Sequence, residues 1–368
     1  MSIATAIQNA QQKVANAYTA VSNKGGTLPS TQNLSNLPTA ISSIPAGGGS
    51  KYGATMDGML GDVDANGVLQ HPTTLTDVVF TGVEDIADDV LSYKFYQSPA
   101  IRSISFPDLT SISGILSCRY MAYSCINLTS VDLSSLVTIS GRNVFQYAFY
   151  QNTNLTSVDL SSLTSISGNT VFSYAFASCT SLTSVDLSSL TMVSGNYPFQ
   201  YAFYQDTDLT SVDLSNLITV TGSTTFNTAF SGCTNLTNVL FNNLQIIGAD
   251  VSGGNYGHFM NCFTNCNNLT SLSFPKLEKI YCTGSGTSGT FTSNNTIQKF
   301  YFPKLDTITY GTGASSSNQA ACKNIFYGCT ALTELHFGRA NQSAIEASPG
   351  YSTAWGRGAG NVTIYFDL

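Results

Sequence analysis

The chain has 368 residues, only 10% of them charged, and a formal net charge of -7. That length holds either two or three ordinary domains or one elongated repeat array, and the acidic balance without Lys/Arg clusters excludes nucleic acid as a partner. No apolar stretch approaches the roughly 18 residues of a membrane span, so no membrane insertion is expected, and Met1 to Lys13 has neither the basic start nor the apolar run of a Sec signal.

In chain order, residues 1–44 come first. Ile3, Ile7, Ala10, Val14, Ala17 and Val21 step by 4, 3, 4, 3, 4, a heptad seam that Gly25-Gly26 ends. A helix this short is marginal alone. The segment therefore reads as a coiled-coil assembly element that makes the chain a homo-oligomer; a helix folded back on its own domain is the other reading. Leu34, Leu37, Ile41 and Ile44 form a second short amphipathic stretch, and the Gly-rich run of residues 45–51 reads as a linker. Residues 52–74 are expected as a β-hairpin cap turning at Asn66-Gly67. Asp62, Asp64 and Asn66 also spell the opening of a calcium-binding loop, but Thr73 stands where its bidentate acid belongs, so a plain turn is favoured.

From 75 to 340 one pattern repeats. The segment Leu128-Thr-Ser-Val-Asp-Leu recurs from Ile101, Leu128, Leu155, Leu182, Leu209 and Leu236 in steps of 27, with looser copies from Leu75, Leu269, Ile297 and Leu332. This predicts about ten coils of an α/β repeat solenoid. Within a coil, Val158 and Leu160 alternate with Asp159 as in a strand, and Gly168 marks a bend. Phe172, Ala175, Phe176 and Cys179 then fall at the i, i+3, i+4, i+7 spacing of a short helix. Strands stack about 4.8 Å apart whereas helices need roughly 8–10 Å, so a curved array with its strands inside is expected. Residues 341–368 are expected as a C-terminal cap with Val362 to Phe366 as a closing strand. Of nine cysteines, Cys125, Cys179, Cys233 and Cys329 recur at matching places, which suits buried thiols better than a disulfide framework.

Two columns stand out as candidate surfaces. Asp132, Asp159, Asp186 and Asp213 recur on the strand face, where stacking brings carboxylates near 5 Å apart; such neighbours raise one another's pKa or recruit a cation, or else form a hydrated polar column. Tyr120, Tyr147, Tyr174 and Tyr201, with Tyr123, Tyr150 and Tyr204, fall on the outward side of the expected helix. They read either as a binding surface for glycan or protein, with sugar faces stacking on the rings, or as packing between neighbouring coils.

His71, His258 and His336 lack metal-ligand spacing, Cys262 and Cys266 lack a second pair, and no phosphate loop or nucleophile elbow occurs. The chain is therefore read as non-enzymatic and without a cofactor.

The Leu-Thr-Ser-Val-Asp-Leu repeat with its Ala-Phe-x-x-Cys element (Ala175 to Cys179, Ala229 to Cys233) resembles the BspA-like leucine-rich repeats of bacterial surface proteins, which implies adhesion to host proteins or other cells. The flanks, with Lys24-Gly-Gly-Thr-Leu-Pro29, Tyr52-Gly-Ala-Thr-Met-Asp57, Leu60-Gly-Asp-Val-Asp64 and Thr363-Ile-Tyr-Phe-Asp-Leu368, resemble tail-associated proteins of phages and prophages of gut Firmicutes. That resemblance implies a virion protein made in the bacterial cytoplasm without a signal peptide. It also implies a trimer joined to other phage structural proteins through its N-terminus, with a host cell-surface glycan or protein as receptor. A bacterial cell-surface adhesin is the alternative.

Overall fold

A computed structural model describes residues 76–249, 257–282, 289–310, 322–357 and 361–368. The heptad seam, the linker and the hairpin with Asp62, Asp64 and Asn66 lie outside the described residues. The rest is a parallel β-solenoid whose coils start where the repeat does.

Seven in-register strands build the first sheet: β1 (Asp77–Val79), β2 (Ser103–Ser105), β4 (Ser130–Asp132), β6 (Ser157–Asp159), β8 (Ser184–Asp186), β10 (Ser211–Asp213) and β12 (Asn238–Leu240). In each, the middle residue is buried between two partly or fully exposed ones, as a period of two demands. The same side continues as a four-stranded sheet of β14 (Ser271–Ser273), β16 (Lys299–Phe302), β18 (Glu334–Phe337) and β19 (Thr363–Phe366). Thr129, Thr156, Thr183, Thr210 and Thr237 each donate Oγ1 to a carbonyl one coil earlier, at 3.0–3.4 Å, so the hydroxyls extend the ladder sideways.

Eight coils, those of β2 to β16, carry a second strand that the hydrophobic pattern did not announce, because two or three residues are too few for a period. These short strands, β3 (Ser111–Ile112), β5 (Thr138–Ile139), β7 (Ser165–Ile166), β9 (Met192–Val193), β11 (Thr219–Val220), β13 (Ile246–Ile247), β15 (Lys279–Tyr281) and β17 (Thr307–Thr309), form an eight-stranded parallel sheet. The glycine bend follows. A Cβ on Gly141, Gly168, Gly195 or Gly222 would collide with the carbonyl oxygen of the glycine one coil earlier, so the corner packs backbone on backbone.

The expected helix is absent. Between second strand and next coil the backbone runs through linked turns, with every fourth residue at positive φ: Asn143, Tyr147 and Gln151 in one coil, Thr170, Tyr174 and Ser178 in the next. Ala148 N–H bonds Phe145 O at 2.9 Å around Tyr147, the third residue of its turn, where type II geometry requires positive φ. Alternate N–H groups reach the next coil instead: Phe145 to Val171 O, Tyr147 to Ser173 O, Phe149 to Ala175 O. Turns repeating every four residues and a helix of about 3.6 per turn bury the same i, i+3, i+4 positions, so eight residues of sequence cannot separate them.

The replacement removes the cause of the expected curvature. The turn side stacks as closely as the strand side: Phe145, Phe172, Phe199 and Phe226 lie ring on ring at 5.2–5.4 Å, and Phe149, Phe176, Phe203 and Phe230 at 5.3–5.5 Å. Leu128, Leu155, Leu182 and Leu209 are fully buried in one core that continues from Val78 to Val362. Seven cysteines are buried free thiols; Cys125, Cys179 and Cys233 donate Sγ–H to Phe95 O, Phe149 O and Phe203 O. Burial pushes Cys125 up to about 12, so it is no nucleophile. The expectation of thiols throughout is corrected at one place, where Cys282 and Cys322 form a disulfide.

Candidate functional site: a strip of stacked tyrosines

The turn chain positions the tyrosines. Tyr93, Tyr120, Tyr147, Tyr174 and Tyr201 all sit at positive φ (53–58°), each third in its turn, and each N–H bonds a carbonyl of the next coil. Non-glycine residues pay for that conformation locally; here the inter-coil ladder over-determines it. Because the backbone is locked at the coil pitch, the rings fall face to face, with centroids 4.8, 5.0, 4.6 and 4.4 Å apart and planes within 14°. A second column runs beside it: Tyr96 on Tyr123 at 5.0 Å and Tyr123 on Tyr150 at 5.1 Å. Within a coil the two columns stand 5.7 Å apart.

These tyrosines are half-buried. Their faces pack on one another and leave edges at the surface, so of the two readings open from the sequence the first column takes packing between coils, and no ring face there is free for a sugar to stack on. Burial, then the neighbouring phenols, pushes the Tyr147 and Tyr174 hydroxyls above the ordinary tyrosine value, which keeps them neutral donors. The Arg119 guanidinium lies 4.9 Å from the centre of the Tyr120 ring. Tyr93 and Tyr96 escaped the sequence reading because the first coil is a loose copy, although subtracting 27 from Tyr120 and Tyr123 finds both.

The aspartate column is in register, with Asp132 paired to Asp159, Asp159 to Asp186 and Asp186 to Asp213. Each carboxylate accepts the backbone N–H of the serine two residues on (Ser134, Ser161, Ser188, Ser215) at 2.8–3.0 Å, closing the turn after the strand. Mutual elevation is not what Asp132 experiences: burial raises it, but hydrogen bonds from Ser134 and Ser105 prevail and hold it below the usual value. Among the described residues, no three His, Cys, Asp or Glu side chains are grouped to hold a metal ion, and no helix is long and apolar enough to cross a membrane. His258 is buried, with Nδ1 3.2 Å from Thr225 Oγ1, and desolvation lowers it to about 3.

Residues 75–202 and 146–254 match the family model described as BspA type Leucine rich repeat region, in six copies. Over these matched residues the repeats are BspA-type leucine-rich repeats. No curated protein matches the sequence. Among solved structures, the chain is similar to a leucine-rich repeat protein of T. pallidum (23% identity, TM-score 0.34), covering 52% of this chain and 77% of that one. It is also similar to leucine-rich repeat proteins from Bacteroides ovatus (15%, TM-score 0.24, 81% and 94% covered) and Eubacterium ventriosum (16%, TM-score 0.28, 71% and 74% covered). The assignment of the BspA-type array rests on its repeat sequence. Such an array is a binding scaffold in kind, consistent with a binding or adhesion role.

Proposed function

We propose that this chain is a non-enzymatic, virion-borne binding protein, tail-associated in a phage of gut Firmicutes, that engages a host cell surface through its BspA-type array. The observation that carries the binding role is the tyrosine strip: nine aromatic side chains at five successive coil levels, half exposed on a scaffold locked by inter-coil bonds. Exposed aromatics on monomeric proteins are normally scattered, and a contiguous strip marks an interaction surface. The virion setting rests on the resemblance of the flanks. A bacterial surface adhesin is the second reading, favoured by the BspA type of the repeat itself. In the first reading residues 1–44 join copies of the chain, a trimer by resemblance, and connect them to other structural proteins of the virion.

The test is host-cell adsorption by the chain carrying Tyr147→Phe, Tyr174→Phe and Tyr201→Phe. Rings and stacking survive this change; hydroxyls do not. Adsorption should drop while thermal stability stays near wild type, and full adsorption by the variant would remove the strip from the receptor site. Light scattering of the intact chain and of a version starting at Lys51 tests assembly, with equal monomer masses counting against the seam.

A further inference from the structure

The strip has a pitch, a charge and a gap, and together they specify a ligand. Its rungs are 4.4–5.0 Å apart along the first column. An extended peptide presents same-side groups every ~6.6 Å, so it falls out of step by more than a rung across five coils. A pyranose, by contrast, adds about one coil's length to an extended glycan chain. The turn segments 114–127, 141–154 and 168–181 contain Arg119 and Arg142 as their only charged residues, while the first coil adds Asp88, Asp89 and Lys94 and the fifth adds the buried Asp206 and the exposed Asp208, so the strip is mixed in sign with no cluster of cations. A polyanion needs a cluster of cations that this strip lacks. What it offers is phenol hydroxyls and carboxamides, with Gln97, Gln151 and Gln205 exposed beside the rings in alternate coils.

The gap is in the second column. Tyr96, Tyr123 and Tyr150 are followed at the 27-residue step by Ala177 and then by Tyr204, so one ring is missing between two that remain. Beside the gap, Tyr150 and Tyr204 are turned 62° and 74° from their in-coil partners, against 45° in the complete coils of Tyr96 and Tyr123. Ala177 itself is buried. Returning those two rings to the 45° seen elsewhere in the strip is a side-chain rotation, and it would uncover Ala177 between two aromatic walls.

Building on the binding role proposed above, we infer that the strip takes a linear, uncharged polysaccharide laid along the solenoid axis. One sugar lies at each coil against tyrosine edges, and one sugar enters the missing rung over Ala177, flat between Tyr150 and Tyr204.

Calorimetric titration of the full chain with chitin-, cellulose- and mannan-derived oligosaccharides, graded from disaccharide to octasaccharide, tests this. Affinity for at least one series should climb with length to about five sugars, one per tyrosine level, and then level off. Ala177→Tyr completes the column with a residue that the coils on either side already carry at that place. It should hold or raise the melting temperature while weakening oligosaccharide binding about tenfold or more. The inference is overturned if no uncharged series binds, if a disaccharide binds as well as a pentasaccharide, if polygalacturonate or an extended peptide is preferred, or if Ala177→Tyr binds like wild type. The binding role fails separately, when the triple phenylalanine chain adsorbs to cells at full strength.

Discussion

The coils from 101 to 235 and those from 257 to 368 solve the same problem differently. Where the period holds at 27, identical residues stack on identical residues: leucines in the core, two phenylalanine columns, two tyrosine columns, and threonine hydroxyls on carbonyls. Where insertions lengthen the coil, the core column persists, with Phe226 on Phe259, Phe259 on Phe291 and Phe291 on Phe326 at 5.2–5.6 Å and within 19°, but both tyrosine columns end, at Tyr201 and Tyr204. Phe291 also meets Phe300 and Phe302 across the core at 50° and 46°, and the Cys282–Cys322 disulfide joins the coils. The outer strand face changes from serine and aspartate to a linked set: Lys299 to Glu334 at 3.0 Å, Glu334 to His336 at 3.0 Å, His336 to Asp367 at 3.1 Å, with His336 between the rings of Tyr301 and Tyr365. Exact repetition lets one residue choice be reused at every level on the surface as well as in the core; where insertions vary the coil, only the core columns are kept, and specific polar pairs and a covalent link replace the repeated surface columns.

The comparison can be broken most severely in the regular coils. Leu182→Ala, in mid-array with neighbours locked above and below, should cost about 2–5 kcal/mol in denaturant unfolding, because the stack cannot collapse into the cavity. A loss below about 1 kcal/mol would mean that the regular core is looser than its burial implies.

Next in size is Asp206, which occupies the column of Cys125, Asn152, Cys179 and Cys233. It is fully buried, accepts the Cys179 N–H at 2.8 Å, and its other oxygen has no partner. Burial pushes its carboxyl far above the usual range, so the folded chain holds a proton that the unfolded chain releases. Its contribution is therefore fully present below the unfolded pKa near 3.8 and declines as pH rises. Asp206→Asn, copying Asn152, whose Nδ2 donates to Ala122 O at 3.0 Å, should raise stability at neutral pH by about 1–3 kcal/mol. The gain should shrink toward pH 4, and a gain independent of pH would show that ionisation is not its cause.

His258 acts in the opposite sense. Burial lowers its folded pKa to about 3, below the ordinary histidine value of 6.5, so stability is retained above that value and falls as acid protonates the unfolded chain. The slope should approach one proton, or about 1.4 kcal/mol per pH unit, between these limits, and His258→Leu should flatten it. An unchanged slope in the variant would place the acid sensitivity elsewhere.

The smallest effect sharpens the contrast between ladder and core. Tyr174→Ala removes two stacked contacts from a half-exposed column and should cost about 0.5–1.5 kcal/mol, less than Leu182→Ala. If the two cost the same, the tyrosines serve packing first.

The sequence alone determined the repeat, its step of 27, the coil count, the strand at Ser-Val-Asp and the buried leucines. All of these follow from a period of two and from recurrence at fixed intervals, which are properties of the chain read in one dimension. It also placed Tyr147, Tyr174 and Tyr201 in one column. What tertiary structure decided was the conformation that joins the strands and, through it, what the tyrosines expose. Helix and linked turns bury the same residues over eight positions, and only the competition between in-coil and inter-coil acceptors for each N–H settles which one forms. That outcome sets the turn side to the strand pitch, turns ring faces inward against one another, and leaves their edges at the surface, with Ala177 buried where the second column lacks a ring.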